Sequence, residues 1–336
     1  MPETALQEIV DELRKSAPLY YPEHGELKNI RVVGHTPKTD HFIYDVVADF
    51  SGGNERLAVK VYRANKYGTG KCDPKSELET LARLHSLFER NKIFGIPRPV
   101  GDFTVLGAIV TEKICGLPLQ SMIMKAALLP GFADHGTLNG SATMAGEWLR
   151  VFHKATEEAP EKFDPQQLVG ELESLCTSCK DEGLDANAIH VILTGSRQSL
   201  AKGRKTLPCS AILSDFTPLN VIVGERGVGI ADYSSILLRG SSFQDLASFL
   251  AAVEALEKYP FCDRSITEGV QERFLEAYGI TPPERAVLRV LKMRALLSMF
   301  AKGRNVKESA VRKKVMWANV MKRFIQQAAE RTLAAA

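Results

Sequence analysis

The apolar positions of this chain change period along its length, and the changes predict its elements. From Thr4 to Ser16 they recur at helical spacing. Leu6, Ile9, Val10 and Leu13 share one face, Thr4 and Gln7 have capping-box spacing, and Pro18 is the expected stop. Strands are predicted at Ile30 to Val33, at Phe42 to Phe50, and at Leu57 to Tyr62 after the turn Ser51-Gly52-Gly53-Asn54. Gly34 to Thr39 reads as the linker between the first two. Pro74 to Phe88 reads as a helix with Leu78, Leu81, Leu84 and Phe88 as its stripe. Val105 to Ile114 reads as two further strand segments. From Ser121 the pattern is helical, with Met144, Trp148, Leu149 and Phe152 on one face of Ala142 to Thr156. Residues 160–207 read as two exposed, polar helices, and the chain after residue 240 as helical, with Val311, Val315, Val320 and Phe324 on a packed face.

One stretch interrupts the helices. Ala211-Ile212-Leu213 and Val221-Ile222-Val223 flank a turn at Pro218, and Gly224 to Gly229 reads as a hairpin loop before a short strand ending at Asp232. This frame holds Asp215, Asn220 and Asp232. Phosphoryl transfer from Mg-ATP needs such a set. One carboxylate orients the acceptor hydroxyl and takes its proton, while an amide and a second carboxylate hold Mg2+ on the phosphate oxygens. The bland reading is a loop Asp capping its turn and an Asn in a β-turn. The third residue, with strand–hairpin–strand spacing, weighs against it.

SDFTPLN followed by GIADYS resembles the HGDFxPxN and IDW/IDY signature of the aminoglycoside phosphotransferase-like kinases, small-molecule kinases with the protein-kinase fold. The resemblance implies Asp215 as catalytic Asp, with Asn220 and Asp232 as metal ligands. The usual His and Gly before the Asp are here Leu213 and Ser214. Lys60, in A-V-K-V, is similar to the nucleotide lysine of kinases and is expected to pair with a Glu on the next helix; Glu77 fits the family spacing better than Glu79. An exposed edge-strand lysine is the bland alternative. Gly34 to Thr39 falls where kinases place a phosphate-covering loop. I-P-R-P at Ile96 to Pro99 and T-E-K-I-C-G-L-P-L at Thr111 to Leu119 are similar to the family's turn and hinge, where main-chain groups of Glu112 and Ile114 would read the base of ATP or GTP. GEWLRVFHKAT is similar to the family's LHxxT helix, in which His153 supports packing. Gly240 to Ala247 matches G-x-x-x-x-D-L-A, with Asp245 expected to cap a helix and pin the catalytic loop.

The expected fold is therefore α+β and bilobal. Residues 1–113 form an N-terminal helix and a nucleotide-binding N-lobe, a small antiparallel sheet with one Glu-bearing helix. Residues 114–336 form a mainly helical C-lobe with an acceptor-site insertion at about 160–207 and basic C-terminal helices. The expected activity is ATP-dependent transfer of the γ-phosphate to a hydroxyl of a small molecule or sugar. The alternative is a catalytically impaired nucleotide-binding pseudokinase or scaffold, which Leu213 and Ser214 favour.

At 336 residues the chain is long enough for two lobes, and its 45% apolar and 25% charged content is ordinary. No apolar run is long enough to span a membrane, and the start has no basic and apolar leader pattern. Six scattered cysteines fit a reducing cytoplasm, and the lone Cys176-x-x-Cys179 lacks the second pair that zinc requires. Net charge is +3, yet residues 284–336 hold 13 Lys and Arg against 3 Glu, a net of +10. Arg289, Lys292 and Arg294 are expected to face an incoming substrate while Leu288, Leu291 and Ala295 pack inward. That predicts an anionic acceptor, with peripheral membrane contact as a further option and no nucleic-acid partner. The F-T-P-L-N loop and A-V-K-V-Y-R strand resemble family members of cell-envelope glycan metabolism. A solvated helix face is the plain alternative for the basic segment.

Overall fold

The computed structural model describes residues 2–38, 41–63, 73–181, 183–201, 206–233, 236–259, 261–304, 320 and 322–330. In chain order the elements begin α1 (Pro2–Tyr20), β1 (Leu27–Pro37), β2 (His41–Phe50), β3 (Asn54–Tyr62), α2 (Pro74–Arg90) and β4 (Ala108–Glu112). They continue β5 (Leu117–Pro118), α3 (Leu119–Leu128), α4 (His135–Ala155), β6 (Glu158–Lys162), α5 (Pro165–Asp181), α6 (Ala186–Ala201), β7 (Thr206–Ile212), β8 (Val221–Gly224), β9 (Gly227–Ile230), β10 (Leu237–Ser241), α7 (Phe243–Glu254), α8 (Arg264–Tyr278) and α9 (Pro282–Arg304). The chain divides into two compact units, residues 1–116 with 224–236, and residues 117–223 with 237–336. The first runs three residues past the expected boundary and takes in the segment that carries Asp232.

The first unit is built on an antiparallel sheet in the order β1-β2-β3-β4. Side chains alternate across a strand, so β3 sends Leu57, Val59 and Val61 to one face and Lys60 and Tyr62 to the other. The first face is the core: Ile9, Val10, Leu13 and Ala17 of α1 join Val46, Ala48, Phe50 and Val110 there. Burying each Ile, Leu, Val or Phe among them contributes about 1.5–3 kcal/mol.

Three expectations fail in this unit. The helix is already under way at Thr4 and runs through Pro18 to Tyr20. Proline removes only its own N–H bond, and the Tyr21 N–H still reaches the Ala17 carbonyl at 3.1 Å. Gly34 to Pro37 is no linker, because those residues continue β1 in register with Asp45 to Phe42 after a bulge at Val33. Val105 is not in a strand. It is 94% exposed in a 3-10 turn, where Asp102 accepts from the Thr104 N–H at 2.9 Å and its hydroxyl at 2.6 Å. That local acceptor outcompetes the weak strand preference of the segment.

In the second unit α4 begins seven residues before the predicted start, capped by Asp134 on the Thr137 N–H. A Cβ at Gly146 would sit 2.4 Å from the Phe274 carbonyl, so glycine permits the close α4–α8 crossing. The stretch 160–207 is less exposed than its composition suggests. Leu168, Val169, Leu172 and Cys176 of α5, and Ile192 and Leu200 of α6, are buried. Ahead of α5 runs an unexpected edge strand, β6, which pairs with β7. Val311 and Val315 lie outside the described residues; Phe324 is buried and Val320 exposed.

Candidate active site

In the first unit Lys60 emerges on the sheet face away from the α1 core, flanked across the strands by Ile43 and Ile109. It is only 4% exposed. A buried ammonium needs a partner, and Glu77, in the first turns of α2, supplies it at 2.7 Å. Glu79 is exposed, because α2 turns Leu81, Leu84 and Phe88 into the core instead. The other Glu77 oxygen accepts from the Tyr62 hydroxyl. The Lys60 nitrogen also lies 4.9 Å from the Tyr62 ring centre and 5.5 Å from that of Tyr233. Burial raises the Tyr233 hydroxyl far above the usual phenol range, and the nearby Glu77 and Asp232 carboxylates add to this. Asp232 itself is half-buried just after β9, whose Ile230 N–H is held by the Gly95 carbonyl at 3.0 Å.

Glu112 ends β4, and Ile114 lies two residues beyond it. The Glu112 side chain is engaged by Arg98 at 2.7 Å and by the Tyr21 hydroxyl at 3.1 Å. Its N–H donates to the Arg98 carbonyl at 2.8 Å, and the next N–H, of Lys113, to the Arg56 carbonyl of β3 at 2.8 Å. Among the described residues no main-chain carbonyl takes the Ile114 N–H.

The second unit holds the 213–220 loop. Asp215 is exposed, while Leu213, Phe216, Pro218 and Asn220 around it are buried. Phe216 stacks parallel to Trp148 at 6.0 Å and lies 5.7 Å from Phe249. Asn220 donates its amide to Asp215 twice, to the carbonyl at 3.0 Å and to Oδ2 at 2.8 Å. This turns the Asn220 Oδ1, the atom a hard cation needs, away from that carboxylate. Asp245 is fully buried and accepts the Leu213 and Ser214 N–H groups, each at 2.8 Å, and His153 at 3.1 Å. His153 also meets the Tyr278 hydroxyl at 2.9 Å. Asp245 pins the loop as the motif predicts, but it does not cap α7, which starts at Phe243 after Ser242. The chain thus braces the loop from behind although Leu213 stands where the family has His. Ser214 takes the glycine's conformation, with φ +60°.

Of the three cations expected to face a substrate, two are paired within the chain. Lys292 binds Glu254 at 2.5 Å, with both largely buried, and Arg294 binds Glu171 at 2.6 Å. Arg289 is exposed, Leu288 and Leu291 are buried, and Ala295 is half-buried. Cys176 and Cys179 are buried, and burial pushes the Cys176 thiol up to about 12, which opposes the thiolate that zinc requires.

Of the seven expected site residues, the structure joins Lys60 to Glu77 and Asp215 to Asn220. Tyr62 went unnoticed in the sequence. Its signal was there, since it lies two residues after Lys60 on the same strand face.

No protein-family model matches the sequence, and no curated protein matches it. Solved structures do. A choline kinase from Cryptosporidium parvum Iowa II is 14% identical with a TM-score of 0.58, over 98% of this chain and 97% of that one. A choline/ethanolamine kinase family protein from Mesorhizobium loti is 16% identical with a TM-score of 0.55, over 96% of this chain and 99% of that one. A spectinomycin phosphotransferase, solved with ADP and spectinomycin, is 15% identical with a TM-score of 0.53, over 97% and 98%. The chain has the α+β, protein-kinase-like fold of the choline kinases and aminoglycoside phosphotransferases.

Proposed function

We propose that this protein is an ATP-dependent phosphotransferase that moves the γ-phosphate to a hydroxyl of a small molecule or sugar. One observation carries the reading: Asp215 is exposed on a loop anchored by the buried Leu213, Phe216, Asn220 and Asp245. A general base has to reach its substrate and yet not wander. The similar solved structures, choline kinases and a spectinomycin phosphotransferase with ADP, support a small-molecule acceptor and nucleotide use.

In this reading Asp215 orients the acceptor hydroxyl and takes its proton. The Asn220 amide on Oδ2 fixes the carboxylate's rotation. Lys60, oriented by Glu77, neutralises phosphate charge, and main-chain groups of Glu112 and Ile114 read the base. Asn220 Oδ1 and Asp232 offer hard oxygen donors suited to Mg2+, which supplies charge neutralisation on the phosphate oxygens when bound. The pseudokinase alternative loses ground because Asp245 and His153 brace the loop without the motif's His.

The finer reading, an anionic cell-envelope glycan precursor as acceptor, keeps the support of its loop and strand motifs. It draws less from the basic segment, because Lys292 and Arg294 are neutralised within the chain. No helix among the described residues is long and apolar enough to cross a membrane.

The test is Asp215→Asn, screened with ATP against pooled sugars, amino alcohols and aminoglycosides. Phosphotransfer is expected to fall about 10²–10⁴-fold while ATP binding survives. Asp232→Ala is expected to remove most of the rise in Tm that Mg-ATP gives the parent. Unchanged turnover in Asp215→Asn sinks the assignment of the base.

A further inference from the structure

We propose that Tyr62 is a positioning residue for the nucleotide site: its hydroxyl holds Glu77 from behind, so that Lys60 is presented to phosphate in one orientation. This rests on the phosphotransferase reading and adds a residue to it.

The argument is geometric. Glu77 reaches Lys60 from α2 through a flexible side chain with three rotatable bonds, and one ion pair fixes only one of its oxygens. Tyr62 takes the other. Because Tyr62 and Lys60 lie on one strand face, two residues apart, the hydroxyl and the ammonium bracket the same carboxylate from one rigid element. The three side chains are nearly closed to water: Lys60 is 4% and Tyr62 7% exposed, and the Glu77 side chain 10%. In so dry a place each hydrogen bond sets orientation strongly.

The rings do the rest. The Lys60 nitrogen lies near the faces of both Tyr62 and Tyr233. An ammonium walled by two ring faces and one carboxylate has few directions left for its remaining N–H groups. The Tyr62 hydroxyl also draws on the charge of Glu77, which weakens the carboxylate's hold on Lys60 and leaves the ammonium available to an incoming phosphate. Tyr62 contacts Glu77 and Lys60, so its effect passes through them.

Tyr62→Phe keeps the ring and deletes the hydroxyl. ATP affinity with Mg2+, measured by calorimetry, is expected to weaken about 3- to 10-fold, with KM for ATP rising and kcat for a given acceptor changing less. Tyr62→Leu removes the ring as well and is expected to weaken affinity further. The decisive readout is a double-mutant cycle with Glu77→Gln. If Tyr62 acts through Glu77, its deletion adds little in that background. A purely structural tyrosine would lower Tm but leave affinity within about twofold of the parent, or give effects that add; either result overturns the proposal. A parent that binds no ATP overturns the phosphotransferase reading too, whereas a parent that binds ATP as tightly as Tyr62→Phe removes the tyrosine's role alone.

Discussion

The Lys60 cluster and the 213–220 loop solve opposite problems. At Lys60 the charge proposed to meet phosphate is itself buried, and other side chains hold it: a carboxylate, a hydroxyl and two ring faces. At Asp215 the charge proposed to act as base is exposed, and its frame is mostly buried: Phe216 among aromatics, and two peptide N–H groups on Asp245. The difference follows from electrostatics. A buried ammonium without a partner is costly, so its partner must be as dry as it is. A base that needs a substrate proton must stay accessible, so its rigidity has to come through the backbone. Substitutions at the two places should therefore fail in different ways, stability first at the loop and nucleotide affinity first at the lysine.

The largest effect is expected at Asp245. Asp245→Ala strands the buried Leu213 N–H and the part-buried Ser214 N–H, and leaves the buried His153 without its carboxylate. Breaking such a buried network costs about 3–5 kcal/mol. Urea unfolding should show a loss of that size, with turnover lost as well. If stability holds and only turnover falls, the loop is not braced from behind and the contrast between the two regions collapses.

Glu77→Gln comes next. The amide keeps an acceptor for Lys60 or Tyr62 but leaves the ammonium without counter-charge. The loss is about 1.5–3 kcal/mol, the range for hydrogen bonds to charged groups. Affinity for Mg-ATP should fall by more than stability does. Equal losses in both would make the pair a structural one.

The contrast also explains what could be read in advance. The pairing of Lys60 with Glu77 was legible mainly through the kinase resemblance, from A-V-K-V and the family's Glu spacing, while the residues alone said only that a lysine inside an apolar strand implies a partner. Asp215 and Asn220 were legible as a local motif. The fates of Lys292 and Arg294 were not. Their carboxylates, Glu254 and Glu171, lie on other helices, and nothing in the local pattern of α9 marks which cations will meet them. Gly34 to Pro37 misled for a similar reason. Gly, Thr and Pro there suggest a turn, but pairing with β2 along the whole edge overrides local preference. In the insertion, polar residues on the outer faces of α5 and α6 masked the apolar stripes beneath.

The smallest effect is expected at Ser214, and it has the opposite sign. Its φ of +60° lies in the left-handed region, where a Cβ crowds the following carbonyl and costs about 1–2 kcal/mol. Glycine avoids that crowding but gives up about 0.5–1 kcal/mol of backbone entropy on folding. Ser214→Gly should thus stabilise the protein by about 0–1.5 kcal/mol, a Tm rise of a few degrees at most for a chain of this size. The Asp245 bond to residue 214 comes from the peptide N–H and survives the substitution. Ser214→Val keeps the same N–H and adds a branched Cβ, so it should destabilise instead. Both variants leave Asp215 and Asn220 untouched. If Asp245 sets the loop's shape, Ser214→Gly should raise Tm with turnover unchanged. A drop in Tm on going to glycine would mean that the serine side chain holds the loop and that the left-handed turn is not strained.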